Sequence, residues 1–335
     1  MTTPQLDHWQ TVNEMMRGYR VSHLLITCAQ IDVFRQLADG PLPLAELAER
    51  TRTAPLALRR LLDAAVSFNL LTKNDGHYAN GPLADTCLAH EGPYFLGNLM
   101  RREGAFYQRW SYLTEAVRSG QRPEANIRDE DQTDWVLGFE LALFDLARVN
   151  GPRIAEVLAL PAGQPLRVLD VGGGHGGYSI ALARRYPNVE ATVFELPAAA
   201  EVARQIIARE DMSDRVAVQV GDFQKEELGD SEYDLLLLFG VLVSETPENK
   251  LALLQKSYRA LKQGGRVAIR AFWLDDDRAG PRDSTLFSLQ MLLSTNAGDL
   301  STRTEIDQLL AQSGFIDLKL VEIPDIGGNL LLAKK

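Results

Sequence analysis

The stretch RVLDVGGGHGGYS, residues 167–179, decides the fold. A short apolar run ends on Asp170, five glycines follow within the six positions 172–177, and a helical pattern begins at once. A strand that turns through glycine into a helix leaves its backbone N–H groups uncovered, and the helix amino terminus adds a partial positive charge. Gly172, Gly174 and Gly176 sit on that turn. The trio Gly172, Gly174 and Gly177 also satisfies the spacing of dinucleotide-binding loops, so the glycines alone leave the ligand open.

Downstream, short apolar runs alternate with amphipathic stretches, which is the signature of a parallel sheet wound with helices. The strand candidates are RVLDV (167–171), EATVFEL (190–196), RVAVQV (215–220), YDLLLLF (233–239) and GRVAIRA (265–271). FIDLKLVEI (315–323) and GGNLLLAKK (327–335) lie too close together for a helical crossover, so they are expected to form an antiparallel hairpin at the sheet edge.

Upstream the pattern is different. SHLLITCAQIDVFRQLA (22–38), PLPLAELAERTRTAP (41–55) and PLALRRLLDAAVSFNLL (55–71) read as three short helices, and TKNDGHYAN (72–80) supplies the turn of a β wing. Together they predict a mostly helical winged-helix domain. Its second long helix carries only Arg59 and Arg60 among leucines and alanines, a composition suited to packing or dimer contacts. Residues 91–160 read as mostly helical. The expected domains are 1–95, a winged-helix domain; 96–160, a helical linker; and 161–335, the wound-sheet domain.

Three acids sharpen the ligand. Asp170 ends the first strand, where a carboxylate receives a cationic amino group; Glu195 ends the second, at the distance that suits ribose hydroxyls; Asp222 ends the third, placed for the exocyclic amine of adenine. Any one of them reads equally well as a helix cap or a solvated loop end. Their joint placement at the carboxyl ends of successive strands fits a ligand with adenine, ribose and an amino acid group. That ligand is S-adenosylmethionine.

These motifs, together with VGDF (220–223), ALKQGGRVAI (260–269) and the terminal hairpin, resemble the class I methyltransferases of the caffeate and hydroxyindole O-methyltransferase family. The likeness covers nearly the whole chain. It implies a Rossmann-like seven-stranded doubly wound sheet, S-adenosylmethionine as cofactor and a homodimer formed through the amino-terminal domain. It also implies that the three expected domains serve dimerisation, the acceptor pocket and catalysis in turn. Carried over position by position, it implies that Asp170, Gly172, Gly174, Glu195, Leu196, Asp222, Phe223 and Phe239 bind the cofactor, with Glu195 standing where most relatives have Asp. It implies that Met100, Arg101, Phe106, Tyr107, Trp110, Phe139, Leu143 and Val243 line the acceptor pocket.

The acid–base positions depart from the family. Relatives carry a histidine where this chain has Val243, and the two glutamates that assist it align with Ala271 and, less directly, Leu300. The chain has five histidines, of which only His175, inside the glycine loop, lies in the catalytic domain. Tyr107, Glu140 and Glu245 are the candidates for a relocated base. An acceptor atom with a lone pair and no proton to shed needs only positioning and exclusion of water. The expectation is therefore methyl transfer to a small acidic acceptor, with a thioether sulfur favoured and a heteroaromatic nitrogen next. Arg101, with Arg102 and Arg109 nearby, would clamp its carboxylate; an arginine run is as often a solvated face or an ion pair. The alternatives are an O-methyltransferase with a relocated base, a member that keeps the cofactor without transferring methyl, and, disfavoured by charge and by the alanine- and leucine-rich second helix, a winged-helix DNA-binding regulator.

Composition bounds the rest. A formal net charge of −10 argues against a nucleic-acid partner or an anionic membrane surface. Cys28 and Cys87 match neither a disulfide framework nor a metal-ligand spacing, so no metal is expected. The amino terminus lacks the apolar run of a signal peptide and no segment reaches membrane-spanning length, which sets a cytoplasmic expectation.

Overall fold

The computed structural model describes residues 4–123, 132–323, 326 and 328–335. The chain divides into two compact units, the first ending at Tyr107 and the second beginning at Gln108.

The first unit holds helices α1 (Pro4–Arg17), α2 (Tyr19–Gln30), α3 (Val33–Gln36), α4 (Leu44–Arg50), α5 (Pro55–Ser67), α6 (Pro82–Ala84) and most of α7 (Gly97–Trp110), with strands β1 (Leu42–Pro43), β2 (Leu71–Asn74) and β3 (His77–Asn80). The strands make a small sheet in the order β1-β3-β2. The wing turns through Asp75 and Gly76, both at positive φ, as a two-residue hairpin requires. Helix α5 starts with Pro55 in its first turn and buries Leu58, Leu62 and Ala65, which recur at helical spacing, while Arg59 and Arg60 are exposed. Those residues meet Val33, Phe34, Leu37, Leu47, Leu71 and Tyr78 in one core. Cys28 is fully buried there, and burial pushes its thiol up to about 12. Helix α1 buries none of its residues; Trp9, Met15 and Met16 are exposed.

The second unit begins with the end of α7 and continues with α8 (Leu113–Ser119) and the 27-residue α9 (Gln132–Leu158). Strands β4 (Leu166–Val171), β5 (Val189–Glu195), β6 (Val216–Val220), β7 (Tyr233–Phe239), β8 (Leu261–Ala271), β9 (Ile316–Glu322) and β10 (Asn329–Lys334) form one seven-stranded sheet in the order β6-β5-β4-β7-β8-β10-β9. Strands β4 to β8 run parallel, and β10 runs antiparallel to both β8 and β9. Helices α10 (Gly177–Arg185), α11 (Pro197–Arg209), α12 (Pro247–Ala260), α13 (Arg282–Ser294) and α14 (Arg303–Gln312) connect them. Leu235 to Leu238 in β7 are all essentially buried, because a central parallel strand is covered on both faces. Two core clusters divide the sheet residues by face: Val168, Val193, Leu235 and Leu237 go to one, and Leu169, Phe194, Leu236 and Leu238 to the other.

Two helix starts carry their cause in the sequence. Thr302 and Glu305 form a capping box at α14, and Thr246 accepts a hydrogen bond from the Asn249 N–H at α12. Strand order reverses at β4, whose neighbours are β5 and β7, and such a switch point is where wound sheets hold ligands.

Candidate functional site

Beyond β4 the chain turns through Gly172, Gly174 and Gly176, each at a positive φ that strains residues bearing a Cβ. The Gly172 N–H donates to the Phe194 carbonyl at 2.9 Å, tying the loop to the next strand. The Gly174 N–H donates to Glu195 Oε2 at 3.0 Å, and the Leu196 N–H donates to Glu195 Oε1 at 2.7 Å. Under the loop, Asp170 is 1% exposed and accepts from Ser179 Oγ at 2.8 Å. A Cβ on Gly173 would stand 2.8 Å from Asp170 Oδ2, so glycine here lets the backbone fold over the carboxyl.

A third acid joins them from helix α9. A Cβ on Gly174 would overlap Glu140 Oε2 and stand 3.1 Å from Oε1, which places this carboxyl directly against the loop. Glu140 is buried, and neither its Oε2 nor Asp170 Oδ1 has a hydrogen-bond partner among the described residues. Burial and the charge of Glu195 push Glu140 up to about 8. Burial pushes Asp170 up to about 7 and raises Glu195. Three carboxyls around one glycine loop, with two oxygens unpartnered, form a site that a cation completes.

His175 does not share that task. Its Nδ1 accepts from the Gly177 N–H at 2.9 Å, its ring packs near Phe144 and Tyr178, and burial pushes it down to about 4. It is a neutral ring that satisfies an N–H at the start of α10.

The raised carboxyls fix a direction for stability. A carboxyl whose folded pKa exceeds its unfolded value favours folding most below the unfolded pKa, and that contribution is lost as pH rises through the folded one. For Asp170 and Glu140 the window runs from about 4 to about 8. The ligand-free protein is therefore expected to melt at progressively lower temperature from pH 5 to pH 8. A saturating cationic ligand should flatten that slope, and thermal melts across pH with and without ligand check it.

The remaining positions expected to bind the cofactor lie at or just beyond the carboxyl ends of β5, β6 and β7. Asp222 Oδ2 stands 2.8 Å from Lys225 Nζ, and this pairing together with the Gln224 N–H holds its pKa below the usual carboxylate range. Phe223 and Phe239 are partly buried, Phe239 edge-on to Tyr178, and Leu196 is exposed just beyond β5.

On the acceptor side the expected residues fall in both units. In the first, Met100 packs against the winged-helix core, and Tyr107 lies with its ring 4.5 Å from that of His23. Arg102 covers the Phe106 ring and pairs with Glu103. Arg101 donates to Asp32 Oδ1 at 3.3 Å and to Asn98 Oδ1 at 3.4 Å, so part of its guanidinium is already engaged by an acid of the same unit. In the second, Trp110 Nε1 donates to Gln290 Oε1 at 2.6 Å, and Gln290 Nε2 donates to Ser294 Oγ at 2.6 Å. Arg109 reaches the same Ser294 oxygen and lies 4.9 Å over Trp135, which stacks with Phe139; Leu143 is half-buried. Sequence reasoning missed Gln290 and Ser294. Their signal was two polar residues four apart, on one helix face, in the mostly apolar LFSLQMLLS.

Val243, Ala271 and Leu300 come together. With Leu274, Phe287 and Met291 they make one apolar cluster, in which Val243 and Leu300 are buried. Glu245 sits two residues from Val243, but its carboxylate accepts from Gln224 Nε2 at 3.0 Å and Asn249 Nδ2 at 2.9 Å. It braces the loop after β6 against the start of α12. Among the described residues no group of three or more His, Cys, Asp or Glu is placed to hold a metal ion, and no helix is long and apolar enough to cross a membrane.

Comparison with known proteins adds family evidence. Residues 110–316 match the model of the O-methyltransferase domain, and residues 13–90 match that of the O-methyltransferase dimerisation domain. The chain is 32% identical to acetylserotonin O-methyltransferase of Bos taurus, over 95% of this chain and 96% of that protein. It is 30% identical to the tetracenomycin polyketide synthesis 8-O-methyl transferase TcmO of Streptomyces glaucescens, over 92% of each. Among solved structures it resembles the human N-acetylserotonin methyltransferase in complex with SAM, with a TM-score of 0.87 and 28% identity over 100% of this chain and 99% of that one.

Proposed function

Because the chain belongs to the O-methyltransferase family, with its dimerisation domain and its methyltransferase domain both present, we propose that it transfers the methyl group of S-adenosylmethionine to an oxygen of a small acceptor. The observation that carries this reading is the carboxyl cluster at the glycine loop, where Asp170 Oδ1 and Glu140 Oε2 are buried without hydrogen-bond partners among the described residues. S-adenosylmethionine brings a cationic ammonium and a sulfonium, so the residues present fit it. Asp170 would receive the ammonium, Glu195 the ribose hydroxyls and Asp222 the adenine amine, with Phe223 and Phe239 supplying apolar walls. When bound, this cofactor supplies an electrophilic methyl carbon that is displaced in line from sulfur. The protein's share is alignment and dryness: Trp110, fixed by Gln290, and Phe139, stacked on Trp135, offer rigid apolar surface beside the hydroxyl of Ser294. The dimerisation domain supports a homodimer, and exposed Trp9, Met15 and Met16 of α1 offer it an apolar face.

The proton on the acceptor oxygen is the open step. The apolar cluster at Val243, Ala271 and Leu300 supports the reading that the histidine and both glutamates of the family have been exchanged as a set. Of the three relocated candidates, Glu140 lies on the cofactor loop, Glu245 is held by two side-chain amides, and Tyr107 belongs to the first unit. An acceptor that arrives already ionised needs none of them. The acceptor class that follows is an acidic hydroxyl, one conjugated with a carbonyl or on an electron-poor ring. Arg109, over Trp135, would favour its anion. The same cluster favours a second reading, transfer to a thioether sulfur or ring nitrogen that carries no proton.

Formation of S-adenosylhomocysteine, measured by mass spectrometry against hydroxyls of graded acidity, thioether acids and heteroaromatic amines, separates the two. Acidic hydroxyls are expected to react, with kcat/KM rising about tenfold per pH unit below the acceptor's own pKa and level above it. A profile whose midpoint stays fixed when the acceptor is changed would assign the proton to an enzyme group instead. Turnover of only sulfur or nitrogen acceptors would establish the second reading. Cofactor binding without turnover of any acceptor would indicate a family member that has lost transfer.

A further inference from the structure

Glu140 has no counterpart in the assignments made so far. It reaches the cofactor loop from helix α9, some thirty residues before the glycines, and its carboxyl occupies the space a side chain on Gly174 would fill. It is 7% exposed, and its Oε2 has no hydrogen-bond partner among the described residues. The groups facing it are Glu195 at the end of β5, whose charge raises it, and the backbone of His175, whose N–H favours its anion. Asp170, the third acid of the loop, lies under the adjacent Gly173.

On the reading above, Asp170 and Glu195 answer the amino acid and ribose ends of the cofactor. What remains is the sulfonium, which by covalent structure lies between those two ends. Resting on that reading, we propose that Glu140 senses the sulfonium charge: it is ionised while the methyl donor is bound and protonated when the neutral thioether product takes its place. Without a cation beside it, burial and Glu195 hold Glu140 at about 8, so it is mostly protonated near pH 7. A sulfonium at contact distance favours the carboxylate, and one proton leaves to solvent on binding. In transfer the carbon–sulfur bond breaks with its electron pair staying on sulfur, and the acceptor oxygen forms the new bond to carbon. The positive charge is then gone, and Glu140 takes a proton back from solvent. The site therefore holds donor more tightly than product, by a margin that grows as pH falls less far below the carboxyl's own pKa.

The test is isothermal titration calorimetry of the full-length protein at pH 7.5 in phosphate and in Tris, whose ionisation enthalpies differ. Donor and S-adenosylhomocysteine are titrated separately, and an analogue with a protonated amine in place of the sulfonium serves as a third probe. The donor and the amine analogue are expected to release about three-quarters of a proton more than the product does, the share of Glu140 still protonated at pH 7.5. Glu140→Gln, which keeps size and removes the charge, is expected to weaken the donor by at least tenfold and the product by less than threefold, and to abolish the difference in proton release. Glu195→Gln should weaken donor and product alike, since both carry the ribose. Equal proton release by donor and product in the wild type overturns the proposal without any variant, as does equal weakening of both in Glu140→Gln. If the wild type bound neither ligand, the cofactor reading itself would fall first.

Discussion

Gly174→Ala is expected to lower kcat/KM by roughly 100-fold or more and to lower the melting temperature by several degrees. Two costs of the order of 1–3 kcal/mol each combine: a φ of +47° strains any residue with a Cβ, and the new methyl meets a buried carboxyl. Both costs fall on the folded loop, so they are relieved by displacing it while the core stays packed. The Gly174 N–H also orients Glu195 through Oε2, so displacement of the loop misplaces that carboxyl as well. Adding Glu140→Ala removes the steric partner but leaves the strain, so the double variant should recover part of the loss. Steady-state kinetics with melting curves as the fold control checks both halves. Wild-type kinetics in Gly174→Ala would show that Glu140 swings away freely and does not belong on the loop.

Phe194→Ala is expected to be the most destabilising single truncation near the site, by about 3–5 kcal/mol, as for other large buried aromatics cut to alanine. Phe194 is 1% exposed in β5, paired with Val171 on one side and Gln219 on the other. A Cβ on Gly221 would overlap its ring, so the phenyl and the glycine are complementary. For a unit of 228 residues, counting Gln108 through Lys335, the loss corresponds to a fall of roughly 6–20 °C in the melting transition of that unit. Gly221 precedes Asp222, and its N–H donates to the Glu195 carbonyl at 3.0 Å, so Asp222 and Glu195 lose a shared support. The Kd for S-adenosylmethionine should rise accordingly, and Phe194→Leu should show both effects in smaller measure.

Much of this fold was legible in the sequence because its strands are central and parallel. A strand buried on both faces must be apolar throughout, and YDLLLLF coincides end for end with Tyr233–Phe239. The hairpin followed from chain length alone. The glycine loop and its acids were legible for a similar reason: Glu195 ends β5, Asp170 is next to last in β4 and Asp222 lies two residues past β6, so local sequence fixes where they lie. Glu140 was legible only as a candidate base, since nothing in a helix thirty residues upstream says that it packs on Gly174; that is a fact of helix packing. Gln290 and Ser294 were hidden in the same way, and so was Asp32, which meets Arg101 across 69 residues of chain. Glu245 looked available in sequence because Gln224 and Asn249, which hold it, come from a loop and from the next helix turn.

The apolar cluster of Val243, Ala271 and Leu300 has a consequence for selectivity. An enzyme that removes the acceptor's proton itself discriminates among hydroxyls mainly by shape. One that waits for the anion discriminates by acidity as well: each unit of acceptor pKa above the working pH withdraws about nine-tenths of the reactive species, partly offset by the greater nucleophilicity of the more basic anion. Two hydroxyls on a single polyhydroxylated molecule, equal in reach and in fit, would then be methylated in the order of their ionisation. Regioselectivity would be written in the acceptor's electronic structure and merely read by a dry, positively biased wall.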